Sequence, residues 1–261
     1  MSRTVLITGA SSGIGAGTCQ AFKECSDPWT VIGVDRQKPL NDSIAANIDH
    51  FYLIDLANPN EIESLEAIVV DKFDGTLNAL VNCAGINELL APIEQMTLEM
   101  YDKLMSINLR APWLLCKHLK PMLKKGQGSI INIASVHSIC SEANCSMYAA
   151  SKAGLAGMTR ALAIEFGPDK IRVNAVSPGA VDTPLHRFHL SSTPAVQAQG
   201  VKNLDDMVND WSAANATVGR VGQPVEIGRA VLFLADNDKA GFVTGENMVV
   251  DGGLICRLTT V

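Results

Sequence analysis

Short unbroken apolar runs alternate along this chain with longer stretches in which apolar residues return every three or four positions. The runs at 3–8 (RTVLIT), 30–34 (TVIGV), 50–54 (HFYLI), 78–81 (NALV), 128–135 (GSIINIAS), 171–177 (IRVNAVS) and 247–250 (NMVV) predict β-strands. Helices are predicted from Gly13 through Ala21 and Phe22, over 61–72, 98–124 and 224–235, and in the alanine-rich stretch around Tyr148. Pro112 and Pro121 are expected to bend or divide the long 98–124 stretch. Asn108 in its middle is a poor interior helix residue and predicts either an irregularity or a polar task. Strands and helices joined by short connections specify an α/β fold: a doubly wound parallel sheet with helices on both faces, in a single domain over 1–261. Residues 185–219 break the rhythm. Polar, weakly patterned and longer than ordinary connections, they predict a substrate lid.

Charge and composition narrow the partners. A net charge of -6 with pI ≈ 5.4, and no Lys/Arg run, leaves no footprint for nucleic acid or an anionic membrane. No apolar run reaches the length of a membrane span, and MSRTVLITG lacks a charged-then-apolar leader, so the cytoplasm is the expected compartment. The seven cysteines (Cys19, Cys25, Cys83, Cys116, Cys140, Cys145, Cys256) are scattered without a C-x-x-C, which suits reduced thiols; neither a disulfide framework nor a metal is expected.

Within this frame, Gly9-x-x-x-Gly13-x-Gly15 lies between the first strand and the first helix. Such a turn lets backbone approach a pyrophosphate, whose charge meets the free N–H groups and positive end of the new helix. The spacing departs from the G-x-G-x-x-G fingerprint. Asp35, 20 residues after Gly15, is placed to accept from adenosine ribose hydroxyls and to repel a 2′-phosphate, favouring NAD over NADP. Arg36 is a phosphate-binding residue type, with no Lys or Arg between Gly9 and Gly15 to help it. Gly9, Asp35, Asp55 and Asn82 all fall at strand ends, around one crevice. Tyr148 and Lys152, four apart on a helix, share a face; a cation beside a phenol favours the phenolate and makes it a better acid and base. Ser135 and His137 do not make a hydrolase pair, because the Gly-x-Ser-x-Gly elbow is missing and the two sit on one strand exit.

Thr8-Gly9-x-x-x-Gly13-Ile14-Gly15, Asn82-x-Ala84-Gly85, Asn108, Ser135, Tyr148-x-x-x-Lys152 and Pro178-Gly179, in this order, resemble the classical short-chain dehydrogenases/reductases, with their Rossmann-like fold. Cys83 stands where that family more often has a second asparagine. The resemblance implies that Tyr148 exchanges a proton with the substrate oxygen as hydride moves to or from a nicotinamide. It implies that Lys152 lowers the Tyr148 pKa and binds the nicotinamide ribose, that Ser135 orients the substrate oxygen, and that Asn108 fixes a relay water. Ser12, Gly13, Ile14 and Gly15 would hold the cofactor phosphates, Asp55 and Leu56 the adenine, and Val181 and Thr183 the carboxamide end. Asn82, Ala84, Gly85, Pro178 and Gly179 complete the implied cofactor contacts, and a homotetramer joined through the last helix and strand is implied as well.

The residues expected around the substrate are Asn87, Glu88, His137, Glu142, Asn144, His186 and His189. His186 and His189 have ligand chemistry but no third ligand at suitable spacing, so a substrate-facing or solvent-exposed role is expected. So polar a set would be left unpaired beside a long acyl chain, at about 1–3 kcal/mol for each buried group. The expected reaction is therefore NAD(H)-dependent interconversion of a secondary alcohol and a carbonyl on a sugar, cyclic diol or short hydroxy acid. The alternatives are an NADPH-dependent 3-oxoacyl thioester reductase and a non-catalytic nicotinamide-binding regulatory protein.

Overall fold

A computed structural model describes residues 3–87, 91–192 and 203–256. Seven strands form one parallel sheet: β1 (Thr4–Thr8), β2 (Thr30–Asp35), β3 (His50–Leu53), β4 (Ala79–Asn82), β5 (Ser129–Ile133), β6 (Arg172–Pro178) and β7 (Asn247–Val250). Their order is β3-β2-β1-β4-β5-β6-β7. The chain winds outward from β1 to one edge, returns to β4, and winds to the other edge, so the two halves part between β1 and β4. The crevice beyond that switch point is where such sheets take ligands.

The strands are legible as apolar runs because both faces are covered. Leu6, Ile32, Val34, Leu80, Ile130 and Val173 pack on one face against α3 (Pro59–Lys72), α5 (Ala111–Lys125) and α6 (Ser146–Phe166). The alternate positions Val5, Ile7, Val31, Val81, Ile131 and Ile133 face α1 (Gly13–Glu24) and, from near the chain's end, Pro224–Ala235. These last two helices cross at glycines: a Cβ on Gly17 would lie 2.3 Å from the Pro224 carbonyl carbon, and one on Gly228 2.5 Å from the Gly17 oxygen. The remaining helices are α2 (Asp42–Ala45), α4 (Leu98–Met105), α7 (Pro184–Ser192), α8 (Leu204–Asn215) and α10 (Asn237–Ala240), which makes Pro224–Ala235 α9.

Two expectations about elements are corrected. The 98–124 stretch divides at neither proline but at a wide π-turn, Ser106–Arg110, which contains Asn108. Pro112 sits in the first turn of α5, where its missing N–H costs nothing, and Pro121 lies inside α5 on an exposed face without ending it. The 185–219 segment, read as weakly patterned, contains α7 and α8. Leu190 and Val208 bury themselves with Val221. Arg187 binds Asp182 through two nitrogens (2.6 and 2.9 Å) and Asp205 through a third (2.7 Å), tying α7 to α8. Two apolar anchors and one ion cluster give too sparse a pattern to show in sequence.

Candidate active site

The β1–α1 turn opens a cleft of about 420 Å³ at the switch point. Gly9 and Gly13 hold φ of 71° and 52°, in the left-handed region that favours glycine. Gly9 has no room for a side chain, since its Cβ would stand 3.0 Å from the Ala84 backbone. No side chain caps the α1 N-terminus, which leaves the end of the helix open toward the cleft. Gly9, Ser12, Gly13, Ile14, Gly15, Asp35, Arg36, Asp55, Leu56, Ala84, Gly85 and Thr183, all expected at a cofactor site, line it. A glycine turn, an uncapped helix end and a carboxylate lining one cleft fit a dinucleotide.

Asp35 is fixed rather than loose. One carboxylate oxygen accepts from the Ser11 N–H (3.1 Å) and the Ser11 hydroxyl (2.5 Å), the other from the Gln37 N–H (3.3 Å). Arg36 is exposed at the cleft. Thr183 packs over the glycine turn, 3.3 Å from where a Gly13 Cβ would lie, while its hydroxyl accepts from the His186 N–H and caps α7.

The cleft runs up against the catalytic candidates at Gly85, where a Cβ would stand 3.3 Å from Lys152 Nζ and 3.4 Å from Asn108 Oδ1. Lys152 is 4% exposed and donates to the Ile133 carbonyl at 2.7 Å; burial pushes its ammonium down to about 8. Its Nζ lies 5.7 Å from the Tyr148 ring centroid. The expected fall in the phenol's pKa is not found. Burial pushes Tyr148 up to about 12, and the hydrogen bond with Ser135 pulls the other way without reversing it. Ser135 also accepts from the His137 N–H at 3.2 Å. Asn108 is fully buried, and its amide pairs both ways with the Ile86 backbone, accepting at 2.8 Å and donating at 2.9 Å, with a further donation to Ser151 Oγ at 3.2 Å. Both readings of this asparagine therefore hold: it sits in a helix irregularity and has polar work there.

Several expected contacts lie away from the cleft. Asn82 is buried beneath it, donating to Asn132 Oδ1 at 2.7 Å; Asn132 in turn donates to Thr159 Oγ1 at 2.9 Å, so the chain braces β4, β5 and α6. Gly179 packs against Asp251, its N–H on the Val250 carbonyl, and Val181 is buried in a bridge to Gly222; with Pro178, at the end of β6, they shape the path to Thr183. Among the substrate candidates, Asn87 lines the cleft and is buried. Its carbonyl can only accept, so His189 carries its proton on Nε2 and donates across 2.5 Å. His186 is half-buried and its pKa is lowered, chiefly by burial. His137 stands edge-on to Tyr148, ring centroids 5.5 Å apart, and burial lowers its pKa too. Asn144 is exposed with φ 66°: it forms the turn before α6 and does not line the cleft. Glu88 lies outside the described residues.

Sequence reading passed over Ser11, Gln37 and Phe188, and gave Thr8 no task beyond its place in the glycine motif. The Thr8 hydroxyl accepts from the N–H groups of Cys83 (3.0 Å) and Ala84 (3.1 Å), holding the β4 exit against β1. Gln37 donates to Ser11 Oγ at 3.3 Å and Phe188 of α7 walls the cleft. Only the hydroxyls flanking the glycine turn signalled any of this in sequence.

Residues 9–255 match the family described as enoyl-(acyl carrier protein) reductase. The chain is 33% identical to the 3-oxoacyl-(acyl-carrier-protein) reductase FabG of Thermotoga maritima, over 97% of this chain and 98% of that protein. It is 34% identical to the cis-4-hydroxycyclohexanecarboxylate dehydrogenase of Sinomonas cyclohexanicum, over 96% of each. The aldohexose dehydrogenase of Thermoplasma acidophilum superposes with a TM-score of 0.86 at 29% identity, covering 100% of this chain and 96% of the other. The chain belongs to the classical short-chain dehydrogenases/reductases and is an oxidoreductase of the kind that acts on CH–OH groups.

Proposed function

We propose that this protein interconverts a secondary alcohol and its carbonyl on a small polar compound, a sugar, cyclic diol or short hydroxy acid, with NAD(H) as hydride carrier. The observation that carries the reading is the meeting at Gly85, which sets the cleft lined by the glycine turn and Asp35 beside Lys152 and Asn108. The nicotinamide, when bound, supplies or accepts the hydride. The open end of α1 and the glycine turn bind the pyrophosphate, Asp35 takes the ribose hydroxyls, and Asp55 and Leu56 border the adenine. Thr183, with Val181 behind it, bounds the carboxamide end. Ser135 orients the substrate oxygen, and the Tyr148 Oη takes the alcohol proton in oxidation and returns it in reduction. Lys152 holds the nicotinamide ribose, with Asn108 relaying protons through a water.

Asp35 supports NAD because both its oxygens are held by Ser11 and Gln37, so a 2′-phosphate would meet a fixed negative charge. The polar groups of Asn87, His137 and His189 support a hydrogen-bonding substrate, and the similarity to an aldohexose and a hydroxycyclohexanecarboxylate dehydrogenase points the same way. The likeness to a 3-oxoacyl reductase, together with Arg36 at the cleft, favours a second reading, NADPH-dependent reduction of a 3-oxoacyl thioester. We place the protein in the cytoplasm as a single-domain homotetramer. Its seven cysteines are free, which suits a reducing compartment.

Initial rates with NAD and NADP across aldoses, polyols, cyclic diols and short hydroxy acids, with a 3-oxoacyl thioester as comparison, test this. Turnover with NAD on one polar class is expected. Asp35→Ala should lower the NAD-to-NADP ratio of kcat/KM by at least about tenfold, a loss of about 1.4 kcal/mol in discrimination. Reduction of the thioester by NADPH alone would overturn both the cofactor and the substrate assignment.

A further inference from the structure

We infer that His137, Glu142 and Cys145, on the loop between β5 and α6, form a zinc site at the rim of the reaction centre. One ligand atom from each residue lies within 4.8 Å of the other two. His137 Nε2 is 4.0 Å from Glu142 Oε1, and Cys145 Sγ is 3.7 Å from the same oxygen. Zinc bonds of about 2.0–2.3 Å in a tetrahedron set neighbouring ligand atoms about 3.5 Å apart, so small side-chain rotations close the site.

The hydrogen bonds around the imidazole prepare it for a metal. Ser141 Oγ lies 3.0 Å from His137 Nδ1 and can accept the Nδ1 proton, with the Glu142 carbonyl 3.5 Å away on the hydroxyl's other side. Nε2 then carries the lone pair, the arrangement in which ligating histidines are held by a partner on the other nitrogen. A lone pair, a carboxylate and a sulfur thus converge with one thiol proton among them. A cation replaces that proton, which leaves for solvent, and imidazole, carboxylate and thiolate neutralise the two charges of the metal. One nitrogen, one oxygen and one sulfur suit zinc and not magnesium or calcium, and three protein ligands leave a fourth position for water.

The site's position gives it a consequence. His137 is edge-on to Tyr148, and Cys145 lies three residues before it in the chain. Bound zinc pins the loop running from Ser135 to Tyr148 and draws His137 away from the substrate, so occupancy should inhibit turnover reversibly.

The test uses the purified full chain with zinc alone, competed against a chromophoric chelator, and with cobalt as a spectroscopic stand-in. One equivalent of zinc per chain is expected, and cobalt should give a thiolate-to-metal charge-transfer band that Cys145→Ser abolishes. Glu142→Gln, a change at a largely exposed side chain, should weaken zinc by more than about tenfold, and Ser141→Ala, which only positions the imidazole, by about tenfold. Absence of stoichiometric uptake, or uptake unaltered in both Cys145→Ser and Glu142→Gln, would overturn the site. Full turnover at saturating zinc would overturn its inhibitory role. The metal titration needs no substrate, so its result is independent of the reaction proposed above.

Discussion

Tyr148 and Lys152 each meet burial with the opposite consequence. The phenol is driven up to about 12 and the ammonium down to about 8, so the resting pair is held as neutral tyrosine beside a lysine that loses its charge just above neutrality. Tyr148→Phe should leave NAD binding, read by fluorescence titration, nearly unchanged and lower kcat about a thousandfold; normal turnover would remove Tyr148 from the chemistry. Lys152→Met should abolish turnover yet raise stability at pH 7 by about 1–2 kcal/mol, since a buried cation gives way to an apolar chain of similar length. The sign with pH follows from the lowered pKa. Between about 8 and 10.5 the unfolded chain holds the lysine proton and the folded chain has released it, so wild-type stability gains as pH rises through that window. The advantage of Lys152→Met in thermal melts should therefore shrink above pH 8. At this scale the four catalytic candidates could be read from spacing and resemblance. The tasks of Thr8 and Ser11 could not, because a hydroxyl's task is set by partners far off in sequence, as with Thr8 and the Ala84 N–H.

At the scale of elements, the glycine crossing of α1 and α9 sets where the uncapped end of α1 stands. Gly17→Ala should gain about 1 kcal/mol in helix propensity. The new methyl group, however, would lie 2.3 Å from backbone that cannot yield without moving α9. A net destabilisation of about 1–3 kcal/mol in urea midpoints is expected, with weaker NAD binding as α1 shifts; unchanged values for both would show that the crossing has slack. The strands were legible because β1, β5 and β6 are buried along their whole length, which keeps their runs mostly apolar. The break at Ser106–Arg110 was not, because prolines are conspicuous in sequence while a π-turn is stabilised by where Asn108 finds its partners. Helices α7 and α8 escaped notice because, among the described residues, their cohesion rests on Arg187 and on very few buried apolar side chains.

For the whole molecule, apolar side chains remain uncovered where the last helices approach β7: Phe242 is fully exposed, and Phe233 and Val249 are more than a third exposed. Trp113 on α5 and Ile164 on α6 are exposed as well. Patches of this kind are what subunit contacts cover. Sedimentation should give a tetramer for the wild type and a smaller species for Phe242→Asp; a monomeric wild type would exclude the assembly. Among the described residues no helix is long and apolar enough to cross a membrane.

The fastening of α7 and α8 carries one more consequence. Arg187 joins the two helices to each other and to the Asp182 turn, and His189 hangs α7 on the Asn87 carbonyl. If this segment covers the substrate, as we propose, sequence drift within it would alter which molecule is admitted while Tyr148, Lys152 and Asn108, held on other elements, stay in place.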